Sequence, residues 1–298
     1  MTVSGKFIKI SNDEKSAGGV YSAAAIALYA GSLLFSALTV FLGLEGGSNE
    51  YIYLSYSVAP ALFLLLSVLF FGVVDVSVKE TFAPPKNMVW FLIALCLQFG
   101  LFSLSEVNNW FIGFIQELTG QEQRSPALPD LTGGGLYLCL FVVALCPAVL
   151  EELVFRGFLL GGIRNQFGGV LSVLLCGGLF ALYHGSPAQT VYQFICGCAF
   201  AWIALISGSI LPTMLAHFLN NAAIILLYSV GVEALPLPVL VLSGVLLAGT
   251  TGVLIGYTVK RKTDFTGRTE KGGVKSFFAY AFLGIFLFGL SWILSMVG

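Results

Sequence analysis

Charge is scarce in this chain. Only 10% of its 298 residues are Asp, Glu, Lys or Arg, and only two are histidine, His184 and His217. A soluble domain carries about a quarter charged residues, so an ordinary soluble fold is excluded. The formal net charge of −1 says little about partners, and nucleic acid is not expected among them. Cysteine is limited to six residues (Cys96, Cys139, Cys146, Cys176, Cys196 and Cys198), all within apolar runs and none in a loop where a disulfide would be useful. Cys196-Gly-Cys198 makes a poor metal motif, because i,i+2 side chains point apart on a helix. These cysteines read as small, soft packing residues. The chain also has no His-Glu-x-x-His, and Ser186 beside His184 lacks a Gly-x-Ser-x-Gly context, which removes two common hydrolase signatures.

What the chain has in abundance is apolar sequence, 57% by composition with a mean hydropathy of +0.93. Nine runs are long enough to cross a hydrocarbon core of about 30 Å. They cover approximately 20–44, 53–74, 88–105, 135–163, 168–184, 189–206, 210–230, 236–259 and 276–297. The expected fold is therefore an all-α polytopic membrane protein, a bundle of 8–9 transmembrane helices. The first run is too long for a signal-peptide core and lacks a clear cleavage site, so it reads as an anchor. Lys6, Lys9, Lys15, Lys79, Lys86, Arg164 and the 260–275 cluster fall on one set of alternating loops. Glu45, Glu50, Glu106, Glu117, Glu122, Asp130 and Glu233 fall on the other, where Arg124 is the only basic residue. The positive-inside rule then places the N-terminus in the cytoplasm and, with nine spans, the C-terminus outside. The chain reads as a single membrane domain over 1–298, with polar cytoplasmic segments at 1–19 and 260–275.

The longest loop, 106–132, has an internal pattern. Val107, Trp110, Phe111, Phe114, Ile115 and Leu118 recur at an amphipathic-helix period, with Asn108, Asn109, Gln116 and Glu117 between them. This predicts a helix on the outer interface. It either anchors and packs the bundle or forms a flap beside a substrate entrance.

Ionisable groups inside a membrane are costly, about 2.5–3.5 kcal/mol each at a helix centre on insertion scales. Three apolar runs carry them nonetheless. In Glu151-Glu152-Leu-Val-Phe155-Arg156, Glu152 and Arg156 stand at i,i+4 and can pair. Arg156 cannot lose its charge, so it needs that partner. Glu151 points about 100° away and is left free. Desolvation favours a carboxylate's neutral form, which suits a base or proton shuttle working near neutral pH. His184 closes Phe180-Ala-Leu-Tyr-His184, where a helix-end or interfacial role is equally open. His217 and Asn221 share a helix face at i,i+4; they either stabilise an oxyanion or hydrogen-bond two helices together. Pro212 fits a first helical turn, with Ser209 as its cap.

Taken in order, Glu151-Glu152-x-x-Phe155-Arg156, Phe180-x-x-x-His184 and His217-x-x-x-Asn221 resemble the motif set of the CAAX protease and bacteriocin-processing (CPBP, or Abi) family. These are intramembrane endopeptidases that include the type II CAAX prenyl protease. The resemblance covers about residues 140–225, within a motif-bearing catalytic core at 135–230. It implies that Glu151 activates water with help from His184, that His217 and Asn221 form the oxyanion hole, and that Glu152 and Arg156 support Glu151. It also implies a hydrophobic or membrane-tethered peptide substrate, such as a leader peptide or a prenylated chain.

Zn²⁺ is disfavoured as a cofactor, since the histidines lie 33 residues apart on separate runs and Glu152 is taken by Arg156. A bacterial plasma membrane is the expected location. Two other readings stand beside the protease: a non-catalytic scaffold or bacteriocin-immunity protein, and a proton-coupled transporter, for which no internal repeat is found. One difficulty is depth. At 1.5 Å per residue, His217 lies roughly 10 Å, and His184 roughly 24 Å, from the inner ends of their runs.

Overall fold

A computed structural model describes residues 13–74, 76–122, 127–232, 234–260 and 273–297. The basic residues at 6, 9, 124, 261, 262, 268 and 271, Glu233, and most of the polar segments expected at 1–19 and 260–275 lie outside these residues. Every regular element described is helical. In chain order they are α1 (Glu14–Leu42), α2 (Asn49–Val73), the short α3 (Val78–Thr81), α4 (Val89–Leu101) and α5 (Ser105–Thr119). There follow α6 (Gly135–Arg164), α7 (Gln166–Tyr183), α8 (Pro187–Ser207), α9 (Leu211–Ser229), α10 (Leu237–Lys260) and α11 (Gly273–Val297). Nine helices among the described residues are long and apolar enough to cross a membrane, and apart from the third their limits fall within about six residues of those read from the sequence. The protein is an all-α integral membrane bundle.

Burial is concentrated in the middle of the chain. In α6 to α9, 44–61% of the apolar span is buried within the protein, against 11–33% in the other spans. The outer helices turn Leu33, Leu34, Phe41, Leu242 and Phe282 outward, as lipid-facing helices must. Small residues bring α7 and α8 close together: a Cβ on Gly177 would strike Cys198, and one on Gly197 would strike the Gly177 backbone. The Cys-Gly-Cys stretch is thus a packing surface, and all six cysteines are free.

The third span differs from its expected form. It does not end near residue 105 but continues through a 3₁₀ turn at Phe102–Leu104 into α5, giving 31 helical residues from Val89 to Thr119. No proline or glycine interrupts 101–106, so the chain bends without breaking. Within α5, Ile115 is buried, while Val107, Trp110, Phe114 and Leu118 are exposed. The apolar stripe is therefore shared between core and surroundings. Asn108 fastens the helix to the start of α8, donating to the Ala188 carbonyl (3.1 Å) and accepting from the Tyr192 N–H (3.3 Å).

Two irregularities shape α6. Leu140–Leu145 and Leu153–Leu159 are π-helical and flank the turn that carries Glu151 and Glu152. Pro147, in the first turn after the former, has no N–H to offer the Val143 carbonyl four residues earlier. Near the start of α7 the helical path is broken at Gly168 (φ 72°, ψ 171°), a conformation that suits glycine alone.

Candidate active site

The site begins on α6, where Glu151 and Glu152 are both buried. Glu152 Oε1 accepts from Arg156 Nη1 at 2.8 Å, the i,i+4 pair expected from the spacing, with both side chains fully buried. Arg156 is further held by the Gly197 carbonyl (3.3 Å). Its guanidinium lies 4.3 Å from the Phe180 ring centre and 5.5 Å from that of Phe200. Those flat faces let a permanent cation sit in an apolar interior.

His217 comes to the same pair from α9. Its Nδ1 lies 3.0 Å from Glu152 Oε1, and its Nε2 lies 3.8 Å from Glu151 Oε2. Glu152 thus receives both Arg156 and His217, and His217 stands between the two carboxylates. A carboxylate accepts, so the proton sits on Nδ1 and Nε2 is directed at Glu151.

Glu151 is otherwise contacted from α7. The Tyr183 hydroxyl donates to its Oε1 at 3.0 Å. Its second oxygen, Oε2, is buried without a hydrogen-bond partner. His184, the next residue, caps the end of α7, and its Nδ1 lies 2.8 Å from the Phe180 carbonyl. A carbonyl can only accept, so Nδ1 carries the proton and the Nε2 of the neutral ring keeps its lone pair. The Phe180 ring is common ground for both histidines, meeting His184 at 4.7 Å and His217 at 6.0 Å, each edge to face.

The depth of His217 relative to Glu151 follows from where α9 starts. Ile210 packs beside Gly157, seven residues before the end of α6, and Ser209 Oγ donates to the Ala83 carbonyl (2.7 Å) after α3. From Leu211, His217 is six residues on, about 9 Å. From Gly157, Glu151 is six residues back, the same rise. The two helices run antiparallel and bring both side chains to one level. Ser209 is not the cap expected from the sequence: Ile210 holds that position, and Ser209, two residues before the helix start, accepts from the Leu211 N–H (3.3 Å), while Pro212 occupies the first turn.

Asn221 is placed differently from His217. Its Nδ2 donates to the Val143 carbonyl (3.3 Å), the acceptor that Pro147 leaves without an i+4 donor. Its Oδ1 accepts from Asn220 (3.1 Å), and Asn220 Oδ1 in turn accepts from Gln98 (2.7 Å) and Tyr192 (2.9 Å). The side chain therefore joins α9 to α6, and one N–H of its amide remains beyond that bond. Among the described residues no group of three or more His, Cys, Asp or Glu side chains is arranged to hold a metal ion.

Tyr183 and Asn220 stand within motif stretches quoted for their neighbours, but nothing in their spacing marks them. Only the antiparallel pairing of α6 with α7 puts Tyr183 against Glu151. No curated protein and no solved structure matches the chain. A family model does, over residues 133–223, and its description is type II CAAX prenyl endopeptidase Rce1-like. Those residues run from the start of α6 into α9 and contain every group that meets at the two glutamates. Through them, about a third of the chain is similar to the Rce1-like family of type II CAAX prenyl endopeptidases.

Proposed function

We propose that the protein hydrolyses a peptide bond of a hydrophobic or membrane-tethered peptide, using Glu151 to activate water. The observation that carries this reading is the division of labour between two adjacent acids. Each acid keeps one buried oxygen, Oε2, without a hydrogen-bond partner, but the Oε1 of Glu152 is spent on Arg156 and His217, whereas that of Glu151 accepts only the neutral Tyr183 hydroxyl. Glu152 is thus held by a permanent cation at 2.8 Å, while Glu151 has no cation within hydrogen-bond distance and an unpaired acceptor, which leaves it the acid open to a reacting group.

In this reading a water molecule stands between Glu151 Oε2 and His184 Nε2. Its oxygen attacks the scissile carbonyl carbon while its proton passes to Glu151. Charge then develops on the carbonyl oxygen, where His217 in its imidazolium form and the remaining N–H of Asn221 donate. The C–N bond breaks as Glu151 returns the proton to the leaving amine. A carboxylate and an amine are released, with no acyl-enzyme on the path. Glu152 and Arg156 fix His217 and balance its charge.

A comparison of purified wild-type protein with Glu151→Gln in liposomes, on a membrane-tethered peptide, tests this. Cleavage should fall by about 100-fold or more, the size of a general-base contribution, with thermal unfolding unchanged. Undiminished turnover would remove Glu151 from the mechanism. A role by binding alone, as in immunity or scaffolding, would instead leave a cellular phenotype intact in Glu151→Gln and His184→Ala. The same peptide offered with and without a prenyl group separates the two substrate classes.

A further inference from the structure

Tyr183 has no role in the chemistry so far, yet its hydroxyl touches the acid placed at the centre of it. The ring is fixed from several helices. It packs against Phe63 of α2 (5.4 Å between ring centres), Phe155 of α6 (5.3 Å), Phe288 of α11 (5.8 Å) and its neighbour His184 (4.8 Å). A phenol enclosed in this way needs a partner for its single polar atom. Tyr21 of α1, in the same aromatic cluster, meets that need with the Leu179 backbone carbonyl (3.0 Å). Tyr183 instead gives its proton to Glu151 Oε1.

We propose that Tyr183 is a positioning residue for Glu151, holding one carboxylate oxygen so that the other faces the reacting water. The proposal rests on the reading of Glu151 as the base. A carboxylate on a flexible side chain turns about its last bond, and here the His217 ring, 3.8 Å away, stands ready to draw it. Donation from Tyr183 to Oε1 fixes the carboxylate plane. It leaves Oε2 directed at the space beside His217 Nε2, 3.8 Å away. Without the hydroxyl, Glu151 is free to rotate toward His217, and the productive geometry becomes one among several. Tyr183 precedes His184, so a single turn of α7 sets both the direction of the base and the lone pair expected to share its water.

The test uses the intact protein in liposomes on a membrane-tethered peptide. Tyr183→Phe keeps the ring and its packing and removes only the donor. We expect kcat to fall about 10- to 100-fold, the size of one hydrogen bond to a charged group, with KM within about twofold. Tyr21→Phe removes a hydroxyl from the same cluster and should keep full kcat, which separates loss of positioning from loss of packing. Full kcat in Tyr183→Phe while Glu151→Gln is inactive overturns the role of Tyr183 and leaves the base intact. Activity in Glu151→Gln overturns the reading of the base itself. If Tyr183→Phe does not fold, 3,5-difluorotyrosine at position 183 retains ring and hydroxyl but alters donor strength. An unchanged kcat there overturns the proposal equally.

Discussion

At the scale of single residues, the centre of the protein is a charge-balancing problem. Arg156 and Glu152 are fully buried, and His217 shares the same carboxylate oxygen. Removing one member leaves another charged in an apolar interior. Arg156→Met should therefore destabilise the protein by about 3–5 kcal/mol, the usual cost of breaking a buried pair from one side. Retention of the wild-type unfolding temperature in detergent would show that Glu152 finds its counter-charge elsewhere. The Glu152–Arg156 pair was legible in the sequence because i,i+4 spacing is a property of one helix. His217 meeting both glutamates was not, because that contact spans 65 residues and depends on α9 starting beside Gly157. Asn221 illustrates the same point. Its spacing from His217 announced a polar face, but its bond to the Val143 carbonyl follows from Pro147 on another helix.

At the scale of elements, the site depends on how closely its helices approach. Gly177 and Gly197 let α7 and α8 touch at the level of Phe180, and the Gly197 carbonyl is itself a partner of Arg156. Gly177→Leu should force these helices apart and withdraw that carbonyl. We expect it to reduce folded yield and cleavage together, whereas Gly178→Leu, where a side chain meets open space, should alter neither. Equal behaviour of the two variants, measured by size-exclusion profile and turnover, would contradict the close-packing account. The nine helices themselves were readable from apolar run length, since charge is excluded from the spans. The helix at α5 was legible from its amphipathic period, but its continuity with the third span was not, because the apolar run ends near residue 105. Asn108 makes two hydrogen bonds to α8, and Ile115 is buried.

At the scale of the whole molecule, residues 133–223 contain the groups proposed to react, but the surrounding helices hold them in place. α1 packs along α11, and Tyr21 and Phe288 from these two helices close the aromatic cluster around Phe155 and Tyr183. α11 also holds the turn that follows His184: Ser295 donates to the Gly185 carbonyl (3.0 Å), and Trp292 donates to Thr190 (2.7 Å). Gly185 has φ 58°, so this turn suits glycine and gives His184 a defined exit from the helix. The outer helices thus frame a site they do not chemically enter. The most direct test of the central claim, that Glu151 drives peptide hydrolysis within the membrane, is a comparison of membrane peptidomes from cells carrying the wild-type protein or Glu151→Gln at equal abundance. The account predicts new peptide termini, in or beside hydrophobic segments, that appear only with the wild-type protein. Identical peptidomes, or the same termini produced by Glu151→Gln, would contradict it.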